Sequence, residues 1–140
     1  MATTTVTVEA IINAPVAKVW AYWTQPEHIT KWNFALDDWH CPTSENDLTV
    51  GGKFSATMAA KDGSFSFDFW GIYDVIVIEK ELHITMGDGR KWSIYFSEEG
   101  DTTKLVENFE AETENPVEMQ QQGWQMILNN FKKYAETNKN

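Results

Sequence analysis

Positive charge, cysteine and long apolar runs are scarce in this sequence, and each shortage excludes a class of protein. Lysine and arginine number 11 against 21 acidic residues, which gives a net charge of −10 over 140 residues. Nucleic acids and anionic membranes are held through clustered basic residues, so we expect neither as a partner. No run approaches the roughly 20 apolar residues of a membrane-spanning helix, so we expect no membrane insertion.

Cysteine occurs once, as Cys41, so the chain can form no internal disulfide. The segment Met1 to Thr5 has neither the basic residues nor the apolar run of a secretion signal, and we therefore expect a cytosolic protein. The length suits one domain with its own core, and no linker or repeat divides the chain. We predict a single domain over residues 1–140.

Aromatic residues are abundant instead, with seven tryptophans and eight phenylalanines. The stretch from Asn115 to Asn138 carries apolar residues at helical spacing and predicts one long amphipathic helix. Burying four of its large side chains contributes on the order of 10 kcal/mol, comparable to the net stability of a domain. We therefore expect the fold to be organised around this helix. Its apolar stripe comprises Val117, Trp124, Ile127, Leu128, Phe131, Tyr134 and Ala135.

The chain before this helix predicts mostly strands, with two short helices near the N-terminus. Pro15 and Pro26 each open a helix, because proline suits the first helical turn. Asp62 and Gly63 predict a tight hairpin turn. The predicted strands are Thr3 to Ile12, a short one near Trp39 that Pro42 and Asn46 break, Lys53 to Ala60, Phe65 to Ile78, Leu82 to Met86, Lys91 to Ser97 and Thr102 to Ala111. This order predicts an α+β fold in which an antiparallel sheet curves around the C-terminal helix.

Several segments resemble a known superfamily. They include I-N-A-P-V-A-K-V-W-A-Y-W, D-L-T-V-G-G-K-F, V-E-N-F-E-A-E and M-Q-Q-Q-G-W-Q-M-I-L. From about Val6 to Glu136 the chain is similar to START-like (SRPBCC, helix-grip) proteins. The similarity is to the branch homologous to the C-terminal domain of the heat-shock-protein-90 ATPase activator. The resemblance implies a sheet of six or seven strands gripping the C-terminal helix over a hydrophobic cavity.

Members of that superfamily bind lipids, flavonoids, hormones or polyketides, and only some catalyse a reaction. The resemblance therefore predicts the fold more specifically than it predicts the activity. A chaperone partner is the last alternative, because the eukaryotic activator stimulates its chaperone with a separate N-terminal domain that has no counterpart in this sequence.

Glu107 is the candidate for chemistry. Strand alternation places it on one face with Leu105 and Phe109. If that face is concave, burial raises the pKa of Glu107, which can then act as a general acid, a general base or a ligand anchor. If the face is convex, or if Glu107 lies at an open mouth, the carboxylate is simply solvated. Both alternatives stay open.

Other polar residues are candidate anchors. Gln120 and Gln121 lie near the edges of the helical stripe, one turn before Trp124. Asp68 shares a strand face with Trp70, opposite Phe67, and either face can be the buried one. Aromatic stripes usually form core, but this many rings around one helix leave room for a pocket of ~300 Å³ or more. The predicted ligand-binding residues are Trp32, Trp39, Asp68, Trp70, Trp92, Glu107, Gln120, Gln121, Trp124, Ile127, Leu128 and Phe131.

Metal and cofactor sites are not predicted. Asp37, Asp38, His40 and Cys41 are near neighbours in sequence, but adjacent residues of an extended segment point to opposite faces, which suits neither a metal nor a Cys-His nucleophile. We expect the binding of a small hydrophobic ligand, aromatic, flavonoid, polyketide or lipid-like. The alternatives are a cyclase or dehydratase that uses Glu107, and a chaperone-interacting module.

Overall fold

The computed structural model describes residues 4–34 and 36–137. Seven strands and three helices follow one another along the chain. They are β1 (Thr5–Ile12), α1 (Val16–Thr24), α2 (Pro26–Trp32), β2 (Trp39–Asn46), β3 (Lys53–Ala60), β4 (Ser66–Val77), β5 (Glu81–Met86), β6 (Lys91–Glu99), β7 (Thr102–Glu110) and α3 (Val117–Thr137).

The strands form one curved antiparallel sheet of order β1-β7-β6-β5-β4-β3-β2, and α3 lies across its concave face. This arrangement confirms the predicted α+β helix-grip fold, with a long C-terminal helix and two short helices after the first strand. Every strand except β1 pairs with the strand next to it in sequence, whereas β1 pairs with β7. That pairing places the first and the last strand of the chain, β1 and β7, side by side near α3.

Alternation along β7 explains the single buried face of the sheet. Thr103, Leu105, Glu107 and Phe109 are buried, and the residues between them are partly exposed. Because successive side chains of a strand point to opposite faces, the four buried residues share the concave face. Phe109 stacks on Trp124 of α3, which identifies this face as the one that meets the helix.

The segment around Trp39 differs from the prediction. β2 runs through Pro42 and ends at Asn46. Proline is tolerated because β2 is an edge strand and its pairing with β3 shifts register between His40 and Thr43. Two predicted ends, Thr3 of the first strand and Asn138 of the last helix, lie outside the described residues.

The C-terminal half of α3 packs tightly. Leu128, Phe131 and Ala135 are completely buried. The ring of Phe131 makes edge contacts with Trp23 of α1 and Trp32 of α2, each with centroids 4.9 Å apart. The two short helices therefore hold this half of α3 against the sheet.

α3 also makes hydrogen bonds along the edge strand β1. Three of its side chains donate to carbonyl groups of alternate β1 residues, which protects an edge that would otherwise be open to pairing with another chain. The pairs are Gln121 Nε2 with Thr7 O (3.2 Å), Gln125 Nε2 with Glu9 O (3.2 Å) and Lys132 Nζ with Ile11 O (2.6 Å).

Membrane-spanning helices are absent from the described part of the chain: neither α3 nor the two short helices combine enough length with enough apolar character to cross a bilayer.

Candidate functional site

A cavity of about 380 Å³ lies between α3 and the concave face of the sheet. All of its α3 residues belong to the N-terminal half of that helix, namely Met119, Gln120, Gly123, Trp124 and Ile127. The remaining lining residues are Trp23, Trp32, Asn33, Phe54, Met58, Phe67, Phe69, Tyr73, Ile84, Arg90, Trp92, Glu107, Glu112 and Asn115.

The mouth of the cavity lies between β4 and the start of α3. Phe67 on β4 and Met119 on α3 both line the cavity and are also exposed to solvent, at 43% and 59%. The part of the lining that solvent reaches therefore includes two apolar side chains.

Aromatic rings form one wall. Trp124 stacks on Phe109 with centroids 3.9 Å apart and nearly parallel planes. Its edge contacts reach Trp92 at 5.3 Å and Phe69 at 5.9 Å. Offset stacking and edge-to-face pairs of this kind fix ring orientation as well as burying area. Contacts within the chain therefore orient the rings of this wall.

Glu107 contributes a buried acid to this cavity. Its side chain is almost fully buried, and Oε1 accepts a hydrogen bond of 3.0 Å from Nε1 of Trp92. Burial raises the pKa of Glu107 from its usual 4.5 to about 8, although the Trp92 hydrogen bond lowers it in part. The face shared by Leu105, Glu107 and Phe109 is thus the concave one, and Glu107 is largely neutral at pH 7.

Tyr73 is the second buried polar group of the lining. Its hydroxyl donates to Oδ1 of Asn46 at 2.7 Å, and Nδ2 of Asn46 donates to the Thr24 carbonyl. Burial raises the pKa of Tyr73 despite this hydrogen bond, so the phenol stays protonated. The chain of bonds links β4 to β2 and α1.

Gln120 lines the cavity, but its amide is used within the chain. Oε1 accepts from the Glu112 backbone N–H at 2.9 Å, while Nε2 donates to the carbonyls of Glu112 and Asn115. Gln120 therefore fixes the connection between β7 and α3. Arg90, also in the lining, donates to Asp88 at 2.7 Å and to the Glu110 carbonyl at 3.0 Å.

Half of the residues predicted from sequence border the cavity. They are Trp32, Trp92, Glu107, Gln120, Trp124 and Ile127. They come from α2, β6, β7 and α3, which only the fold brings together.

The structure does not bring the other six to the cavity. Leu128 and Phe131 lie on the same helical stripe but pack in the solid core beyond the cavity. Gln121 is turned toward the edge of β1, where its amide donates to Thr7. Trp39 packs against Phe65 and Phe67 on the β3–β4 hairpin, with centroids about 6 Å away.

Asp68 and Trp70 lie on the convex face of β4. Asp68 is exposed and accepts a hydrogen bond of 2.7 Å from Thr57. The Trp70 ring lies under the Lys53 ammonium group at 4.9 Å and against Gly87. The face of β4 that carries Phe67, not the one that carries Asp68, is the concave one.

Sequence reasoning missed several lining residues. Alternation along β4 from Phe67 through Phe69 to Tyr73 is a signal that identifies three of them. Gly123 is another signal, because a glycine inside a helical pattern costs about 1 kcal/mol of stability relative to alanine. A Cβ atom built on Gly123 would meet no atom within 4 Å. The residue therefore faces open space.

Cys41 is buried on β2, and its thiol contacts the Thr43 carbonyl. Burial raises the pKa of Cys41 to about 11, so the thiol is a poor nucleophile at neutral pH. Over residues 4–34 and 36–137, no three His, Cys, Asp or Glu side chains come together in a way that could hold a metal ion.

Comparison with known proteins gives both a family and a fold. The family model described as "Activator of Hsp90 ATPase homolog 1-like protein" matches residues 13–136. An AHSA1-like protein from Aeromonas hydrophila, solved by NMR, is 40% identical, covers 98% of this chain and 99% of its own, and superimposes with a TM-score of 0.89.

Two further solved structures have the same fold. A protein from Cytophaga hutchinsonii is 54% identical over 94% of this chain and 92% of its own, with a TM-score of 0.81. A protein from Nitrosomonas europaea is 21% identical over 96% of both chains, with a TM-score of 0.83. None of the curated proteins matches the chain.

Proposed function

Because the chain belongs to the Activator of Hsp90 ATPase homolog 1-like family, we propose that it uses this family's fold to bind a small, largely apolar molecule between α3 and the sheet. The ligand is aromatic, flavonoid, polyketide or lipid-like. Binding takes place in the cytosol, in keeping with a lone cysteine that can form no internal disulfide.

The observation that supports this proposal is the cavity itself. At about 380 Å³ it falls within the usual range of ligand pockets, roughly 300–1,000 Å³. Its lining combines many aromatic rings with few polar groups, which is the usual composition of a small-molecule site. An empty apolar cavity lowers stability, so a chain that keeps one this large gains something other than stability from it.

The net charge of the chain and the polar groups of the lining narrow the class of ligand. The net charge of −10 disfavours an anionic ligand. Glu107 and Tyr73 are buried polar groups of the lining, so a ligand with one or two oxygen-bearing groups fits better than a pure hydrocarbon.

Filling the cavity from Gly123 tests the proposal. We expect Gly123→Leu to weaken binding at least tenfold across a panel of a flavonoid, a fatty acid and a polyketide, because the added side chain occupies ligand space. Gly123→Ala is the matched control, since it adds only one methyl group. Both variants should be about as stable as the native chain or more so, because glycine costs roughly 1 kcal/mol in a helix.

Amide chemical shifts and tryptophan fluorescence report the titrations, and urea unfolding reports stability. Saturable binding that Gly123→Leu removes and Gly123→Ala keeps supports the proposal. No saturable response from any member of the panel contradicts it.

Glu107 also favours an enzyme as a second candidate. A carboxyl group whose pKa is about 8 suits general acid or base chemistry on a polyketide-like substrate, as in a cyclase or dehydratase. Such a reaction needs a second group, and the hydroxyl of Tyr73 is already used by Asn46. Turnover that Glu107→Gln abolishes while binding survives would favour this candidate.

The family's description supplies the third candidate, a partner of the Hsp90 chaperone. Co-purification of the full chain with Hsp90 is the direct test of it. We rank this candidate last, because the cavity accounts for the arrangement of the site without a chaperone.

A further inference from the structure

We propose that the ligand carries a carbonyl oxygen, and that this oxygen accepts a hydrogen bond from the neutral carboxylic acid of Glu107. This inference rests on the proposed function, and it names the polar group that distinguishes a true ligand from any apolar molecule of the right size.

The first step is the geometry of the two carboxyl oxygens. Oε1 of Glu107 accepts from Nε1 of Trp92, and Oε2 has no hydrogen bond to any residue among 4–34 and 36–137. In that part of the chain, no side-chain oxygen or nitrogen that is completely occluded lacks a partner. Oε2 must therefore be accessible from the cavity that Glu107 lines.

The second step is the absence of a compensating cation close to Glu107 among the described residues. Across the sheet its partners are Val8 on β1 and Ile94 on β6. The facing residues of α3, Gln120 and Trp124, are uncharged.

The other titratable groups of the lining are already engaged. Arg90 is paired with Asp88, Glu112 accepts hydrogen bonds from Asn115, and Tyr73 donates to Asn46. None of them has a hydrogen bond or ion pair with Glu107.

The third step assigns the proton. Burial raises the pKa of Glu107 to about 8, so the acid is mostly protonated at pH 7. Because Oε1 receives the Trp92 N–H, the proton belongs on Oε2. The cavity thus presents one O–H donor in an apolar, aromatic surrounding.

The fourth step is the match to a ligand. A carbonyl oxygen can accept a hydrogen bond from this O–H while Glu107 stays neutral. A hydrocarbon of the same shape would displace water and leave the O–H without a hydrogen-bond partner, which weakens its binding. A protonated amine would instead require an ionised Glu107, so its binding would release a proton and strengthen as the pH rises.

Three probes with one ring system separate these cases. They are 2-acetylnaphthalene, which has the carbonyl, 2-isopropenylnaphthalene, which has the same shape without it, and 1-(2-naphthyl)ethylamine, which is a cation at neutral pH. Isothermal titration and amide chemical shifts give Kd for each probe with the full chain between pH 6 and 9.5.

We expect the ketone to bind at least tenfold more tightly than the alkene at pH 6. This preference should shrink as the pH rises past about 8, because an ionised Glu107 has no O–H to donate to the ketone. Glu107→Leu should remove the preference. Glu107→Gln, which retains a donor but cannot titrate, should remove the pH dependence. The exposed acid Glu98 supplies the control, because Glu98→Gln should change neither.

The outcomes distinguish this inference from the function on which it rests. Equal affinities for ketone and alkene overturn the inference and leave apolar binding intact. An amine that binds most tightly, with affinity that rises with pH, also overturns it in favour of an ionised Glu107. No binding of any probe overturns the inference, and the flavonoid, fatty-acid and polyketide panel then tests the proposed function separately.

Discussion

The two halves of α3 use one apolar stripe for different purposes. In the C-terminal half, Leu128, Phe131 and Ala135 are completely buried and meet the sheet and the two short helices. In the N-terminal half, the same stripe continues through Gly123 and Trp124 but borders the cavity. One helix therefore supplies both a solid core and the wall of an open space.

Residue size explains part of this difference. The stripe has large side chains where the helix is gripped, but it has Gly123 at a position where an added Cβ atom would meet nothing. Gly71 of β4 is the opposite case, because an added Cβ atom would come within 2.5 Å of Ile84. A glycine that faces open space costs helix stability with no steric need, which fits a position kept clear for a ligand.

The largest expected effect concerns Glu107, the buried carboxyl group of the cavity lining. Its pKa is about 8 in the folded chain against 4.5 as the ordinary value. Between these pH values the folded state keeps a proton that the unfolded state loses, so stability falls as the pH rises. The loss is on the order of 5 kcal/mol across this window, since each unit corresponds to about 1.4 kcal/mol.

Urea unfolding of the native chain and of Glu107→Gln between pH 4.5 and 8.5 measures this effect. The variant cannot titrate at this position, so it should gain stability relative to the native chain as the pH rises. If the difference in unfolding free energy between the two proteins did not change with pH, Glu107 would not be buried as an acid. The N-terminal half of α3 would then not border a cavity that holds a buried carboxyl group.

The second expected effect concerns the C-terminal half of α3, which packs in the core. Phe131→Ala should lower the free energy of unfolding by about 3–5 kcal/mol, because it leaves a void among the rings of Trp23 and Trp32. Met119→Ala, in the cavity half, should stay within about 0.5 kcal/mol, because Met119 is 59% exposed. Urea unfolding at one pH compares the two variants. Similar losses of unfolding free energy in the two variants would contradict the difference in packing between the two halves of α3.

The sequence predicts the helix and its stripe, but it cannot tell the halves apart. Periodicity identifies which face of α3 is apolar, and so it placed Trp124 and Phe131 together. What separates them is the distance between helix and sheet. That distance depends on where α1 and α2 grip the helix and on how the sheet curves. Periodicity therefore predicts Leu128 and Phe131 as ligand contacts, although they lie in the core.

Prediction from sequence has the same limit for the faces of the strands. Alternation predicts that Glu107 lies with Leu105 and Phe109, and that Asp68 lies with Trp70, but not which face of each strand is concave. The direction of curvature decides this, and it comes from pairing between distant segments, such as β1 with β7. The open alternatives for Glu107 and Asp68 were therefore resolved only by tertiary structure.

The smallest expected effect concerns how the cavity half of α3 is held. Gln121 lies in this half, but its amide donates to the Thr7 carbonyl at the edge of β1. Gln121→Ala should lower the free energy of unfolding by up to about 1 kcal/mol, because it removes one solvent-exposed hydrogen bond. Gln122→Ala is the matched control: Gln122 is exposed, and its side-chain amide makes no hydrogen bond with residues 4–34 and 36–137.

Urea unfolding and amide hydrogen exchange in β1 measure both variants. Because Gln125 and Lys132 also donate to β1, the loss of Gln121 alone should loosen the first turns of α3 without detaching the helix. Faster exchange near Thr7 in Gln121→Ala, with Gln122→Ala unchanged, would show that the Gln121 hydrogen bond helps to fix the N-terminal half of α3 to the edge of β1. Identical behaviour of the two variants would mean that the Gln121 hydrogen bond does not hold this half and that its other contacts, such as those of Trp124 and Gln125, position it.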